Sequence, residues 1–225
     1  CRRKTGGSLL KTGGAMAKEL LKMEGITKIY GNGFMANKDI TFTVNEGEIH
    51  ALIGENGAGK TTLMKILFGL ENCQQGKIYL DGKEVHIENP LDAIAKGVGM
   101  VHQHFMLVPN LSVAENVVLG IEPGPGQIFD KKTAVRMTEE ASEKFQLKVD
   151  PNALVRDISV GLKQKVELLK ALIRGAKVLI LDEPTAVLTP QEVGELFVQL
   201  KSLKANGYGI IFISHKLDEV MELCD

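Results

Sequence analysis

Apolar positions in this 225-residue chain change period several times, and each change marks an element. His50-Ala51-Leu52-Ile53 is a short apolar run that reads as a buried strand. Directly after a glycine-rich turn, Leu63, Ile66, Leu67 and Leu70 recur at i, i+3, i+4 and i+7, which predicts a helix. Ile26–Tyr30 and Asp39–Val44 read as strands before the turn. Lys77–Leu80 and Val85–Ile87 follow it, joined by a tight Asp81-Gly82 turn. From about Phe105 to Arg174 the pattern becomes helical. Ser112-x-x-Glu115 predicts a capping box, and Asp130 a cap for a helix carrying Val135, Ala141 and Phe145. Glu122-Pro123-Gly124-Pro125-Gly126 between them predicts a loop. Strands return at Val178–Leu181 and Gly209–Ser214, separated by a helical repeat of Val193, Leu196, Phe197, Leu200 and Leu203. Strand, helix, strand argues a parallel crossover, and hence an α/β core with an antiparallel β layer and an inserted helical subdomain at about 105–175.

The chemistry is concentrated where the first core strand meets its helix. Gly54-Glu55-Asn56-Gly57-Ala58-Gly59-Lys60-Thr61 has the glycine spacing of a loop whose backbone N–H groups wrap a polyphosphate. The helix start adds roughly half a positive charge at the same place. Lys60 is placed to reach the β- and γ-phosphates, and the Thr61 hydroxyl to take one Mg²⁺ position. A chance glycine loop would not need strand, helix and the full pattern together. The chain is therefore expected to bind a nucleoside triphosphate, on a P-loop NTPase core with a mostly parallel sheet.

Composition narrows the setting. Apolar residues make up 44% of the chain, enough for a substantial core. With 27 basic against 28 acidic residues, nothing in the charge calls for nucleic acid or an anionic membrane surface. No run approaches the roughly 18 apolar residues of a membrane-spanning helix, so any membrane role has to come through a partner. Cys1, Cys73 and Cys224 are scattered without metal-ligand spacing and suit a reducing compartment. Residues 1–15 are basic and glycine-rich without an apolar stretch. They are expected to be a leader or non-native segment outside the fold, ahead of an ATP-binding domain over 16–225.

Two further strand ends carry candidates. Val178-Leu179-Ile180-Leu181 runs into Asp182-Glu183, and a buried parallel strand delivers its C-terminal residues to the ligand crevice. Asp182 there can hold Mg²⁺, and Glu183 can polarise the attacking water. The bland alternative, a strand ending in solvated acids, loses weight beside the phosphate loop. His215 ends the last strand. Such a histidine is commonly a surface residue, but the shared sheet makes it a candidate donor at the γ-phosphate. Gln103, in Val101-His102-Gln103-His104, could ligate Mg²⁺ or orient water at the junction with the helical insertion. His102 and His104 lack a third ligand for a metal site.

The order of these motifs resembles the nucleotide-binding subunits of ABC transporters, from about Leu20 to Asp225. It comprises the loop at Gly54, Gln103, Ile158-Ser159-Val160-Gly161-Leu162, Leu181-Asp182-Glu183-Pro184 and His215. The resemblance implies ATP contacts from Gly54, Glu55, Asn56, Gly57, Ala58, Gly59, Lys60, Thr61 and Thr62, with Tyr30 stacking on adenine. It implies that Ser159 and Gly161 bind the γ-phosphate of ATP held by a second subunit. The residues agree that Ser159 opens a helix, with Leu162, Val166, Leu169 and Ile173 on one face and Gly175 at its end. The family's usual Leu-Ser-Gly-Gly-Gln is altered here, and its Ser-Ala-Leu-Asp is replaced by Ala186-Val187-Leu188-Thr189. Thr189-Pro190-Gln191-Glu192 predicts a capping box with proline at the first helical position. Both departures match the subgroup that imports nucleosides or sugars, whose members carry two such domains. This chain is expected to be the first of them, C-terminally incomplete.

The expected function is ATP binding and hydrolysis at the cytoplasmic face of the membrane, as a peripheral subunit. Its expected partners are transmembrane permease subunits, a second ATP-binding domain in a head-to-tail dimer and, indirectly, a substrate-binding protein, with no nucleic acid. A non-transport ATPase of the same superfamily, acting on DNA or in translation, is the alternative. It would need a long coiled coil or a basic surface. Too few positions separate Gly54 from Asp182 for the first, and the charge balance argues against the second. A P-loop kinase or GTPase lacks the Ser159 segment, and this chain lacks a guanine-reading Asn-Lys-x-Asp.

Overall fold

Period-2 and continuous apolar runs give two different four-stranded sheets. The computed structural model describes residues 18–55, 57–124 and 129–225. The proposed leader at 1–15, Asn56, and Pro125 and Gly126 of the predicted loop lie outside the described residues. One sheet is antiparallel, in the order β2-β1-β4-β5, from β1 (Glu19–Ile29), β2 (Met35–Asn45), β4 (Gln75–Leu80) and β5 (Lys83–Val85). The other is parallel, in the order β3-β8-β7-β6, from β3 (Ile49–Ile53), β6 (Val98–Val101), β7 (Val178–Asp182) and β8 (Gly209–Ser214).

The parallel sheet is apolar on both faces, which is why its strands read as unbroken hydrophobic runs. Val178 and Ile180 of β7 face a core shared with the antiparallel sheet (Leu21, Met23, Val44) and with Leu63, Met64 and Leu67 of α1 (Lys60–Leu67). Leu179 and Leu181 face the opposite core. There they meet α5 (Val160–Ile173), α6 (Pro190–Ala205) and residues of α3 (Val113–Val118) and α4 (Lys131–Lys144). Each fully buried leucine contributes about 1.5–3 kcal/mol. The helical stretch therefore shares the second core of the sheet.

The helix starts follow the capping chemistry. Ser112 and Thr189 both close capping boxes, with Glu115 and Glu192. Asp130 caps α4, and Ser159 caps α5 by accepting from the Leu162 N–H. Asp81 and Gly82, with φ +51° and +74°, form the tight β4–β5 turn.

Other boundaries differ from the sequence pattern. α1 ends at Leu67, and Leu70 is 48% exposed instead of continuing the buried face. β1 begins well before Ile26, because register shifts between Met23 and Ile26 break its alternation. β5 stops at Val85, although Ile87 beyond it is buried. The short α2 (Pro90–Ala95), the strand β6 and the C-terminal α7 (Leu217–Leu223) complete the fold. Between β6 and α3 the chain has no regular structure, so the helical region starts at Val113 instead of near Phe105.

Candidate functional site

β3 delivers the glycine loop to the start of α1, where the helix has no side-chain cap and no acid in its first turn. Its first N–H groups are thus free to serve an anion from outside the helix. Lys60 folds back over the loop: its Nζ donates to the carbonyls of Gly54 at 2.6 Å and Glu55 at 3.0 Å. Strand β2 supports the loop from the side. Asn37 Nδ2 donates to the Gly59 carbonyl at 3.2 Å, while Asn37 Oδ1 is buried without a partner.

Gly59 has φ +83°, and a Cβ there would lie 2.2 Å from the Ala36 carbonyl oxygen. Gly59→Ala is therefore expected to cost about 2–4 kcal/mol through left-handed strain and overpacking. The midpoint of urea unfolding reads that loss, and nucleotide binding should disappear even where the variant remains folded.

Beside the loop lies a cavity of about 190 Å³. Residues Gly57 to Thr62 line one wall, Phe34 and Ala36 a second, and Glu183 and Ile213 a third. Lys60 and Glu183 thus share one space. Glu183 follows β7 with φ +47°, a left-handed conformation that costs a non-glycine residue about 1–2 kcal/mol. Its N–H donates to the Ile213 carbonyl at 3.1 Å, which pins it to the end of β8. His215 Nδ1 lies 3.2 Å from Glu183 Oε1. Glu219 of α7 braces both strand ends by accepting from Thr185 Oγ1 at 2.7 Å and Ser214 Oγ at 3.3 Å.

Burial pushes the Asp182 carboxyl above the usual range, and the negative charge of Glu183 adds to the rise. His102, Lys60 and Lys65 pull it the other way. Such a carboxylate favours a nearby cation. Among the described residues no three His, Cys, Asp or Glu side chains gather as a metal cage. Mg²⁺ needs no such cage, since it binds through one or two protein oxygens and completes its shell with phosphate and water. Thr61 and Asp182 supply the right oxygen donors.

Of the remaining candidates, Tyr30 adjoins this centre. The Tyr30 hydroxyl is 3.2 Å from Thr62 Oγ1, and its ring lies nearly parallel to Phe34, 6.5 Å away between centroids. Gln103 is exposed in the turn after β6 and does not line the cavity. Ser159 and Gly161 sit at the start of α5, likewise outside the cavity lining. Sequence reasoning missed Phe34, Asn37 and Glu219. Phe34 had a signal, since it is a large aromatic in a Gly31-Asn32-Gly33 turn and is 54% exposed. Asn37 and Glu219 act only through contacts between distant segments.

Among the described residues no helix is long and apolar enough to cross a membrane. A sequence model of the ABC transporter family matches residues 37–186. The chain is 51% identical over 211 residues to a nucleoside import ATP-binding protein of Lactococcus lactis, a match covering 93% of this chain and 42% of that protein. It is 50% identical over 206 residues to a guanosine import ATP-binding protein of Bacillus subtilis, covering 92% and 40% respectively. The chain thus spans about two fifths of the length of these curated relatives. Among solved structures, a nucleotide-free ATP-binding cassette from an ABC transporter superposes with a TM-score of 0.81 at 26% identity, covering 92% of this chain and 85% of that one. The ADP conformation of an ATP-binding cassette gives the same score at 27% identity, with the same coverage. Phosphate loop, strand-end acids and these likenesses agree: the chain belongs to the ABC transporter family.

Proposed function

We propose that this chain binds and hydrolyses ATP as one ATP-binding domain of a membrane importer. The observation that carries the reading is the shared cavity, with Lys60 on one wall and the strained Glu183 on another. Lys60 would exchange its two loop carbonyls for β- and γ-phosphate oxygens, joined by N–H groups of the Gly54–Thr62 segment. Mg²⁺, held by Thr61 and Asp182, would neutralise charge on the same phosphates, and closure would bring Gln103 to its shell. Glu183, oriented by His215, is positioned to polarise water, and His215 to donate to the γ-phosphate.

Ser159 and Gly161 would meet the ATP of a second domain arranged head to tail. The helical insertion at about 105–175 would move against transmembrane permease subunits at the cytoplasmic face, with a substrate-binding protein engaging the permease. The relatives named for nucleoside and guanosine import favour a nucleoside as the transported solute, and a glucose import relative from Haloferax volcanii keeps sugars in view. Purification from membranes, with identification of the integral partner, tests the transport role. Recovery with DNA or RNA instead of a permease would defeat it.

Adenine is read by the Tyr30–Phe34 pair in this scheme. Phe34→Ala is expected to weaken ATP about tenfold by loss of stacking, with turnover at saturation nearly unchanged. Tripolyphosphate, which has no base, should bind this variant and the parent equally in calorimetry.

A further inference from the structure

One carboxylate ties the starts of α5 and α6 together. Glu192 Oε1 accepts the Gly161 N–H at 2.9 Å, and Oε2 accepts from the Thr189 N–H and hydroxyl, each at 3.0 Å. These donors hold the carboxyl below the usual range, the Thr189 amide foremost and the Gly161 amide next. A Cβ at position 161 would lie 2.6 Å from Glu192 Oε1, so a side chain there would push the carboxylate aside. One turn further, Lys165 Nζ meets Glu195 Oε2 at 2.9 Å.

The seam that carries these two ties is incompletely satisfied. Gln164, only 3% exposed, leaves its Nε2 without a partner, and Gln199 leaves its Oε1 without one. Both residues line the same narrow space between α5 and α6. An unmatched donor and an unmatched acceptor in one seam leave each group with an unmet demand that pairing the two would satisfy.

We propose that Glu192 is a resident anion at the start of α5, holding the Gly161 amide until the triphosphate carried by a second copy displaces it. This rests on the reading that Ser159 and Gly161 face a second copy's ATP. A single N–H cannot serve two anions at close range, so Glu192 opposes closure of the pair. Once freed, α5 can shift along α6 and match Gln164 with Gln199. Because α6 follows the Asp182–Thr189 segment, the shift carries the presence of the second nucleotide to Glu183 of the same chain. Glu192 is in this sense a positioning residue, and it accounts jointly for Gly161 and for the Thr189 box.

Glu192→Gln tests the idea without removing the cap, since a glutamine oxygen still accepts the Thr189 N–H. The carboxamide lacks the charge and the second acceptor that hold Gly161. Sedimentation with Mg-ATP should compare Glu183→Gln alone with the Glu183→Gln, Glu192→Gln pair. The double variant is expected to dimerise at about 100-fold lower protein concentration, the scale of two charge-assisted hydrogen bonds, one in each copy. ATP affinity of the monomer should stay the same, while the urea midpoint of the nucleotide-free monomer should fall slightly with the loss of the Gly161 bond. Without nucleotide, the Gly161 amide proton resonance should move upfield in Glu192→Gln. If Glu183→Gln dimerises and the added change leaves the dimer equal or weaker, Glu192 is a plain cap and the proposal is overturned. If Glu183→Gln binds ATP yet stays monomeric, the second-copy reading fails and takes the proposal with it.

Discussion

Mg-ATP affinity is expected to fall by at least about 100-fold in Lys60→Ala, measured by calorimetry on a protein that remains folded. Lys60 Nζ rests on two main-chain carbonyls, neutral acceptors that hold an ammonium less strongly than anionic oxygens do. Phosphate oxygens at the same distances would make charge-assisted bonds worth about 1.5–3 kcal/mol apiece. Two of these, less the two carbonyl bonds given up, amount to roughly two powers of ten in binding. The resting protein loses far less, because the loop is also held from the β2 side by Asn37. A variant binding ATP within threefold of the parent would remove Lys60 from the phosphate site.

Glu183→Gln should lower turnover by about 10³-fold while leaving ATP bound, the scale expected when a positioned base is removed. The substitution keeps length and shape, so the φ of +47° and the Ile213 contact are undisturbed. A glutamine oxygen can still meet His215, so the orientation of the pair also survives. What disappears is the capacity to take a proton from water. Phosphate release under saturating Mg-ATP measures the loss. Turnover within tenfold of the parent would move the base elsewhere, with Asp182 the next carboxylate to examine. Heat or urea stability should be unchanged, which separates this loss from unfolding.

The local parts of this machine were legible in the order of residues. The glycine loop, the caps at Ser112, Asp130, Ser159 and Thr189, and the four-residue run ending at Asp182 depend on neighbours only a few positions away. Periodicity misled where packing changed partners. Leu70 keeps the helical spacing, yet the chain has already left α1. Leu21 and Met23 are fully buried strand residues whose alternation is lost at the Gly25 irregularity. β6 is only four residues long, too short to announce itself beside a polar junction. The brace from Glu219 and the link between Glu192 and Gly161 join segments far apart in the chain, and no window of residues contains both ends.

The strand order has a consequence for how such a chain comes into being. β3, which carries the phosphate loop, takes its ladder from β8: Ile49 pairs with Ile210, and Ile53 with Ser214. During synthesis, therefore, the loop-bearing strand emerges well before β8, the strand that pairs its backbone. Long-range parallel pairing of this kind is slow, and the waiting strand is a hazard for association between nascent chains. A polypeptide released before Gly209 would hold every residue of the glycine loop and still lack the ladder that sets its shape. Nucleotide recognition is thus written around Gly54 and made good only once Gly209–Ser214 has been added.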